Sequence, residues 1–135
     1  MKPFVFEFDV YYDDTDAGGV MYHANYLKYA EHARTAFLKN LGFSNIYFLK
    51  SEKPVGFVVR SASLTYLRPA KLEDRVRVET SVEETTGATI LFNQVFKAGD
   101  AVLVEARILT ACVNAGIRPT RLPDELRRAI SGFQA

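Results

Sequence analysis

Apolar and polar positions alternate at the start of the chain. Phe4, Phe6 and Phe8 interleave with Val5, Glu7 and Asp9, and the run carries on through Val10, Tyr11 and Tyr12. A period of two, rich in aromatic side chains, predicts a strand that stops at Asp13. From Asn25 the period changes: Tyr26, Ala30, Ala33, Phe37 and Leu41 recur every three or four positions, as one face of a helix does, and Gly42 is placed to end it. Residues 43–54 are polar and irregular except for Ile46, Tyr47, Phe48 and Leu49, which predict one further turn.

The rest reads as consecutive strands. Residues 56–66 form one, ending where Pro69 lacks a backbone donor and restricts Arg68. In residues 75–84, Val76, Val78, Thr80 and Val82 face one way, while Arg75, Arg77, Glu79, Ser81 and Glu83 face the other, so one side is buried and the other wet. Thr86 and Gly87 mark a turn before residues 88–97, and Gly99 and Asp100 mark another before residues 101–113, apolar on both faces and expected to be covered on both. Pro123 precedes a charged amphipathic segment, residues 124–130, that predicts a short terminal helix. The order strand, long helix, then four strands joined by hairpins or short loops predicts an α+β fold: an antiparallel five-stranded sheet with one helix packed on it. Ala30 and Ala33 would let the helix axis come close to a sheet curved around it.

Composition narrows the picture without changing it. A chain of 135 residues, 48% hydrophobic, fits a single domain over residues 1–135 with a real core. A formal net charge of +1 leaves no broad basic field for nucleic acid. No apolar run approaches the roughly 18 residues of a membrane span, and Cys112 is the one cysteine, so a cytoplasmic protein without disulfides is expected. Cys112 lies in the apolar run from Ile108 to Val113 and reads as a buried filler rather than a nucleophile.

Candidate chemistry concentrates between the first strand and the helix, from Tyr11 to Tyr26. Asp13, Asp14 and Asp16 precede the pair Gly18 and Gly19, with Tyr22, His23 and Asn25 close behind. Aspartates in loops commonly form turns. Paired glycines, however, permit close approach of a ligand, and a helix start supplies unpaired amides and the positive end of a dipole. The spacing does not fit a calcium loop, because the twelfth position counted from Asp14 is Asn25 rather than glutamate. No phosphate loop, no G-x-S-x-G serine and no zinc set is present, so neither a metal nor a cofactor is expected.

The stretch Tyr12-Asp13-Asp14-Thr15-Asp16-Ala17-Gly18-Gly19, continued by Tyr22-His23-Ala24-Asn25-Tyr26, resembles the active-site signature of hotdog thioesterases, the nearest group being the Tol-Pal-associated YbgC type. The likeness extends to Glu31-His32-Ala33-Arg34-Thr35, Gly56-Phe57-Val58-Val59-Arg60 and Tyr66-Leu67-Arg68-Pro69-Ala70, and the D-x-D-x-x-G core is shared with 4-hydroxybenzoyl-CoA thioesterases. It implies a hotdog fold, acyl-CoA hydrolysis, a homodimer or a homotetramer built from two dimers, and a possible link to the Tol-Pal system or lipid metabolism. By the resemblance the catalytic carboxylate falls on Asp16, as nucleophile or general base. The helix-start donor falls on His23, through its amide or its ring, and substrate contacts fall on Tyr12, Gly19, Tyr22, Asn25, Val59 and Arg60. Arg68, Lys71 and Arg75 are further cations suited to the phosphates of coenzyme A. Glu31 and Arg34, three apart, are expected to pair. Two rival readings stay open: a hydratase or dehydratase of the same fold using His23 and Asp16 as acid and base, and a non-catalytic acyl-CoA binder.

Overall fold

A computed structural model describes residues 2–134. Strands β1 (Phe4–Asp9), β2 (Val55–Tyr66), β3 (Arg75–Thr85), β4 (Thr89–Ala98) and β5 (Ala101–Asn114) form one sheet in the order β1-β3-β4-β5-β2, antiparallel at every pairing. The hairpins β3-β4 and β4-β5 follow the turn signals in the sequence, which leaves β1 and β2 as the two edges. Helix α1 (Asn25–Asn40) packs on the sheet, and α2 (Asn45–Lys50) and α3 (Asp124–Ser131) join the same core through Phe48, Leu126 and Ile130.

The predicted inward positions are the ones that pack. Val76, Val78, Thr80 and Val82 of β3 are fully buried, and the register sets Phe8 opposite Val76, Val78 opposite Phe96 and Phe92 opposite Ile108. On α1, Tyr26, Ala30, Ala33 and Phe37 are buried, and the two alanines, with no exposed surface, let the helix approach the sheet as small side chains should. The N-terminal half of α1 packs with Phe8, Val76, Val78 and Phe96, whereas its C-terminal half packs with Phe92, Ile108 and the α3 residues Leu126 and Ile130. Gly42, at φ +94, ends α1: its N–H donates to Lys39 O and the Phe43 N–H to Leu38 O, the paired bonds of a left-handed helix stop.

Three expectations need correction. The first strand does not run on to Tyr12. It ends at Asp9, and Tyr12–Asp14 form a single 3₁₀ turn because the Asp14 carboxylate accepts the Tyr11 N–H and bends the chain. The turn expected at residues 46–49 is, by contrast, present as the short helix α2, with Ser44 Oγ accepting the Tyr47 N–H as its cap. Strand β5 is covered on both faces only toward its end, from Thr110 to Val113, while Glu105 and Arg107 stand on an open outer face. Finally, Glu31 and Arg34 do not pair: Arg34 turns inward and donates to Gln94 Oε1 at 3.1 Å, while Glu31 accepts from Thr35 Oγ1 at 3.0 Å. Burial pulls the Arg34 guanidinium below its usual range, against the nearby charge of Glu31.

Among the described residues no helix is long and apolar enough to cross a membrane, and no group of side chains could hold a metal ion.

Candidate active site

The loop between β1 and α1 is a tight hairpin in its own right. Thr15 and Met21 form an isolated bridge, the Asp16 N–H donates to Val20 O, and the Gly19 N–H returns to Asp16 O. Gly19 sits at φ +79, the left-handed residue that follows such a turn and lets the two arms close. The Asp16 carboxylate is held within this turn, because its Oδ1 accepts the Gly18 N–H at 2.8 Å. A side chain on Gly18 would stand 3.2 Å from that oxygen. Sequence thus dictates a turn whose tip presents one carboxylate in a fixed direction.

The second arm is anchored to the body of the protein. Val20 bridges Lys71, the Met21 N–H donates to Ala70 O, and the Ala70 N–H donates to the Tyr26 hydroxyl at 3.0 Å. Burial raises the Tyr26 phenol above its usual pKa against the lowering effect of that bond, so it stays protonated. Asp16, Val20, Met21, His23, Tyr26, Tyr66, Leu67, Arg68 and Pro69 together line a cleft of about 270 Å³. Asp16 and His23, the two residues expected to carry chemistry, therefore share one cleft, and Asp16 is exposed to it rather than buried.

His23 stands at the entry to α1. Its carbonyl accepts the Tyr66 hydroxyl at 3.1 Å, and its ring lies between those of Tyr22 and Tyr66. Among the described residues, the His23 and Ala24 amides have no acceptor, and no side chain caps the helix at Ala24. His23 lines the same cleft as Asp16, and a free main-chain donor at a helix start can stabilise negative charge developing on a carbonyl oxygen.

The remaining expected contacts are distributed differently. Tyr12 is highly exposed outside the cleft, and Gly19 serves the turn. The Tyr22 N–H and the Asn25 side-chain amide both donate to Asp14 O, at 2.8 and 3.1 Å. Val59 and Arg60 lie on the edge strand β2, away from Asp16 within the one chain: Val59 near Arg34 and Thr110, Arg60 near Glu84 and Arg107. Of the other cations, Arg75 is engaged by Asp9 at 3.2 Å and Glu7 at 3.5 Å, whereas Arg68 sits on the cleft wall. Tyr66 and Tyr26 line the cleft without being among the expected site residues. The only available signal was their place in the family-like segments, because a strand tyrosine and a core-facing helix tyrosine look like packing.

Residues 10–130 match the family described as the thioesterase-like superfamily. The chain is 44% identical over 127 residues to the acyl-CoA thioesterase YbgC of Haemophilus influenzae, covering 93% of each, and 40% identical over 119 residues to the acyl-CoA thioester hydrolase YbgC of Escherichia coli O6:H1, covering 87% of each. Among solved structures, a probable thioesterase from Bartonella henselae superposes with a TM-score of 0.85 at 34% identity, covering 88% of this chain and 98% of that one. With a family match over residues 10–130 and a five-stranded antiparallel sheet that packs on one long helix, the chain belongs to the thioesterase-like superfamily and has the hotdog fold.

Proposed function

We propose that this thioester hydrolase cleaves acyl-CoA to the free acid and coenzyme A at the Asp16 cleft. The single observation behind the proposal is that the exposed Asp16 carboxylate and His23, whose helix-start amide is unpaired, line one cleft. The YbgC relatives, named for acyl-CoA thioester hydrolysis, support the substrate class. With the thioester carbonyl laid across the cleft, its oxygen accepts the His23 N–H. Asp16 then either takes a proton from an attacking water or attacks the carbonyl carbon itself to give a mixed anhydride. In both routes the thiolate of coenzyme A leaves and is protonated, and one water is consumed. The free oxygen of Asp16, Oδ2, is the atom for either role, since Oδ1 is bound by Gly18.

The edge strand supports the second half of the proposal, a homodimer. β2 is long and uncovered, with Val58 and Val59 exposed, and an unpaired edge of that length invites pairing with another strand. Pairing with the β2 of a second copy would extend the sheet and is the route by which Val59 and Arg60 could reach a cleft whose other members lie on the first copy. Arg68, already on the wall, is the cation best placed for a coenzyme A phosphate.

A panel of acetyl-, butyryl-, benzoyl- and palmitoyl-CoA, assayed for free thiol, tests the proposal. Asp16→Asn is expected to abolish turnover while the variant melts as the wild type does, because the exposed carboxylate adds little packing. His23→Ala keeps the amide and is expected to lower kcat only modestly. A folded Asp16→Asn variant that hydrolyses the panel at the wild-type rate would refute the assignment. Hydration of crotonyl-CoA without thiol release would favour the hydratase reading, and tight binding of the panel without turnover would favour a binding module.

A further inference from the structure

Asp14 stands two residues before Asp16, yet its carboxylate is buried, with 1% of its surface exposed. A buried carboxylate is stable only when bonded, and this one is: the Tyr29 hydroxyl reaches its two oxygens at 3.0 and 2.9 Å, the Tyr11 N–H donates at 3.0 Å, and Lys28 Nζ lies 3.8 Å away. The Asp14 main chain is equally engaged. Its carbonyl accepts the Tyr22 N–H at 2.8 Å and the Asn25 side-chain amide at 3.1 Å. Tyr22 immediately precedes His23, and Asn25 opens α1.

One residue therefore ties the loop that carries Asp16 to the helix start that carries the His23 amide. We propose that Asp14 is a positioning residue for the reaction, clamped by the Tyr29 hydroxyl, and that this clamp fixes the separation between the Asp16 carboxylate and the His23 N–H. The inference rests on the hydrolase reading given above. Neither Asp14 nor Tyr29 lines the Asp16 cleft, so neither is required to touch substrate. Tyr29 is well suited to the task. Burial, followed by its bond to Asp14, pushes the phenol far above its usual pKa, so the donor keeps its proton across the working range. Its ring stacks on Phe8, which anchors the clamp to β1.

Tyr29→Phe is the decisive variant, because it keeps the stacked ring and removes only the bonds to Asp14. Errors of about an ångström between reacting groups cost on the order of 100-fold. On the best substrate of the acyl-CoA panel, Tyr29→Phe is expected to lower kcat by about 10- to 100-fold while KM stays within about twofold. Asp14→Asn should do the same, and the double variant should be no slower than the slower single one, because both act through one clamp. The pattern should persist at temperatures well below the melting point of each variant. A Tyr29→Phe kcat within about twofold of wild type would overturn the inference, as would a loss that vanishes on cooling or multiplicative losses in the double variant. Failure of the hydrolase reading would look different, since the wild type itself would release no thiol, and the inference would fall with it.

Discussion

Gln94 is a fully buried amide in the middle of β4 whose every polar atom is engaged: its oxygen accepts Arg34 Nη1, and its nitrogen donates to Ala30 O and Thr80 Oγ1. It is the polar pin between α1 and the sheet. Gln94→Leu would fill similar space but strand a buried guanidinium, and is expected to cost about 3 kcal/mol in a urea denaturation series. Tyr26, Tyr29 and Cys112 predict an alkaline limit. Burial is the leading cause that raises each above its ordinary value, so the folded state holds these protons more tightly than the unfolded chain. Their contribution to stability is complete below the unfolded values, 9.0 for the thiol and 10.0 for the phenols, and is lost as pH climbs beyond them. Melting temperatures followed across alkaline pH should start to fall above about pH 9, and a flat profile to pH 11 would contradict this. That Asp16 is the candidate carboxylate was legible at this scale because its type and its neighbours carry the pattern, and its exposure on a cleft is compatible with that reading. Asp14 was not, because an aspartate in a loop gives no sign of whether its carboxylate points to water or to a tyrosine fifteen positions on.

At the scale of elements, the loop hairpin depends on backbone geometry as much as on side chains. A methyl group on Gly19 would meet nothing within 4 Å, so Gly19→Ala carries only the conformational cost of a left-handed residue, about 1 kcal/mol. Any relief of that strain tilts the Asp16 tip, so turnover should fall far more than the melting temperature does. Equal and small effects on both would show that the turn does not aim the carboxylate. Ser44→Ala should cost about 1 kcal/mol by uncapping α2, as measured by denaturant titration. Periodicity revealed α1 and all five strands to within a few residues, since Tyr26, Ala30, Ala33 and Phe37 or Val76, Val78 and Val82 write the buried face directly into the chain. It gave α2 as only one turn and overran β1 for the same reason. In short segments a side-chain bond to the backbone, from Ser44 or Asp14, outweighs a weak period.

For the whole molecule, the uncovered β2 edge carries the remaining prediction. Val59 is 52% exposed on this strand, and a charge there should repel a second copy far more than it disturbs the fold. Val59→Glu is therefore expected to shift the sedimenting species toward monomer and to lower hydrolysis with it, while circular dichroism stays unchanged. An unaltered mass with unaltered activity would count against both the β2 pairing and the role of Val59 at a shared site.

The sequence by itself determined the α+β layer and the order of its strands along the chain, and it marked the loop proposed to bear chemistry, because alternation, helical period and turn residues are local properties that neighbouring residues settle among themselves. The tertiary structure alone decided which side chains meet. It sent Arg34 to Gln94 rather than to Glu31, placed Tyr66 and Arg68 beside Asp16, and left Val59 and Arg60 on a distant edge. These contacts join positions far apart in sequence, and their geometry is set by how α1 seats on the sheet as a whole, which is a packing outcome that no local pattern encodes.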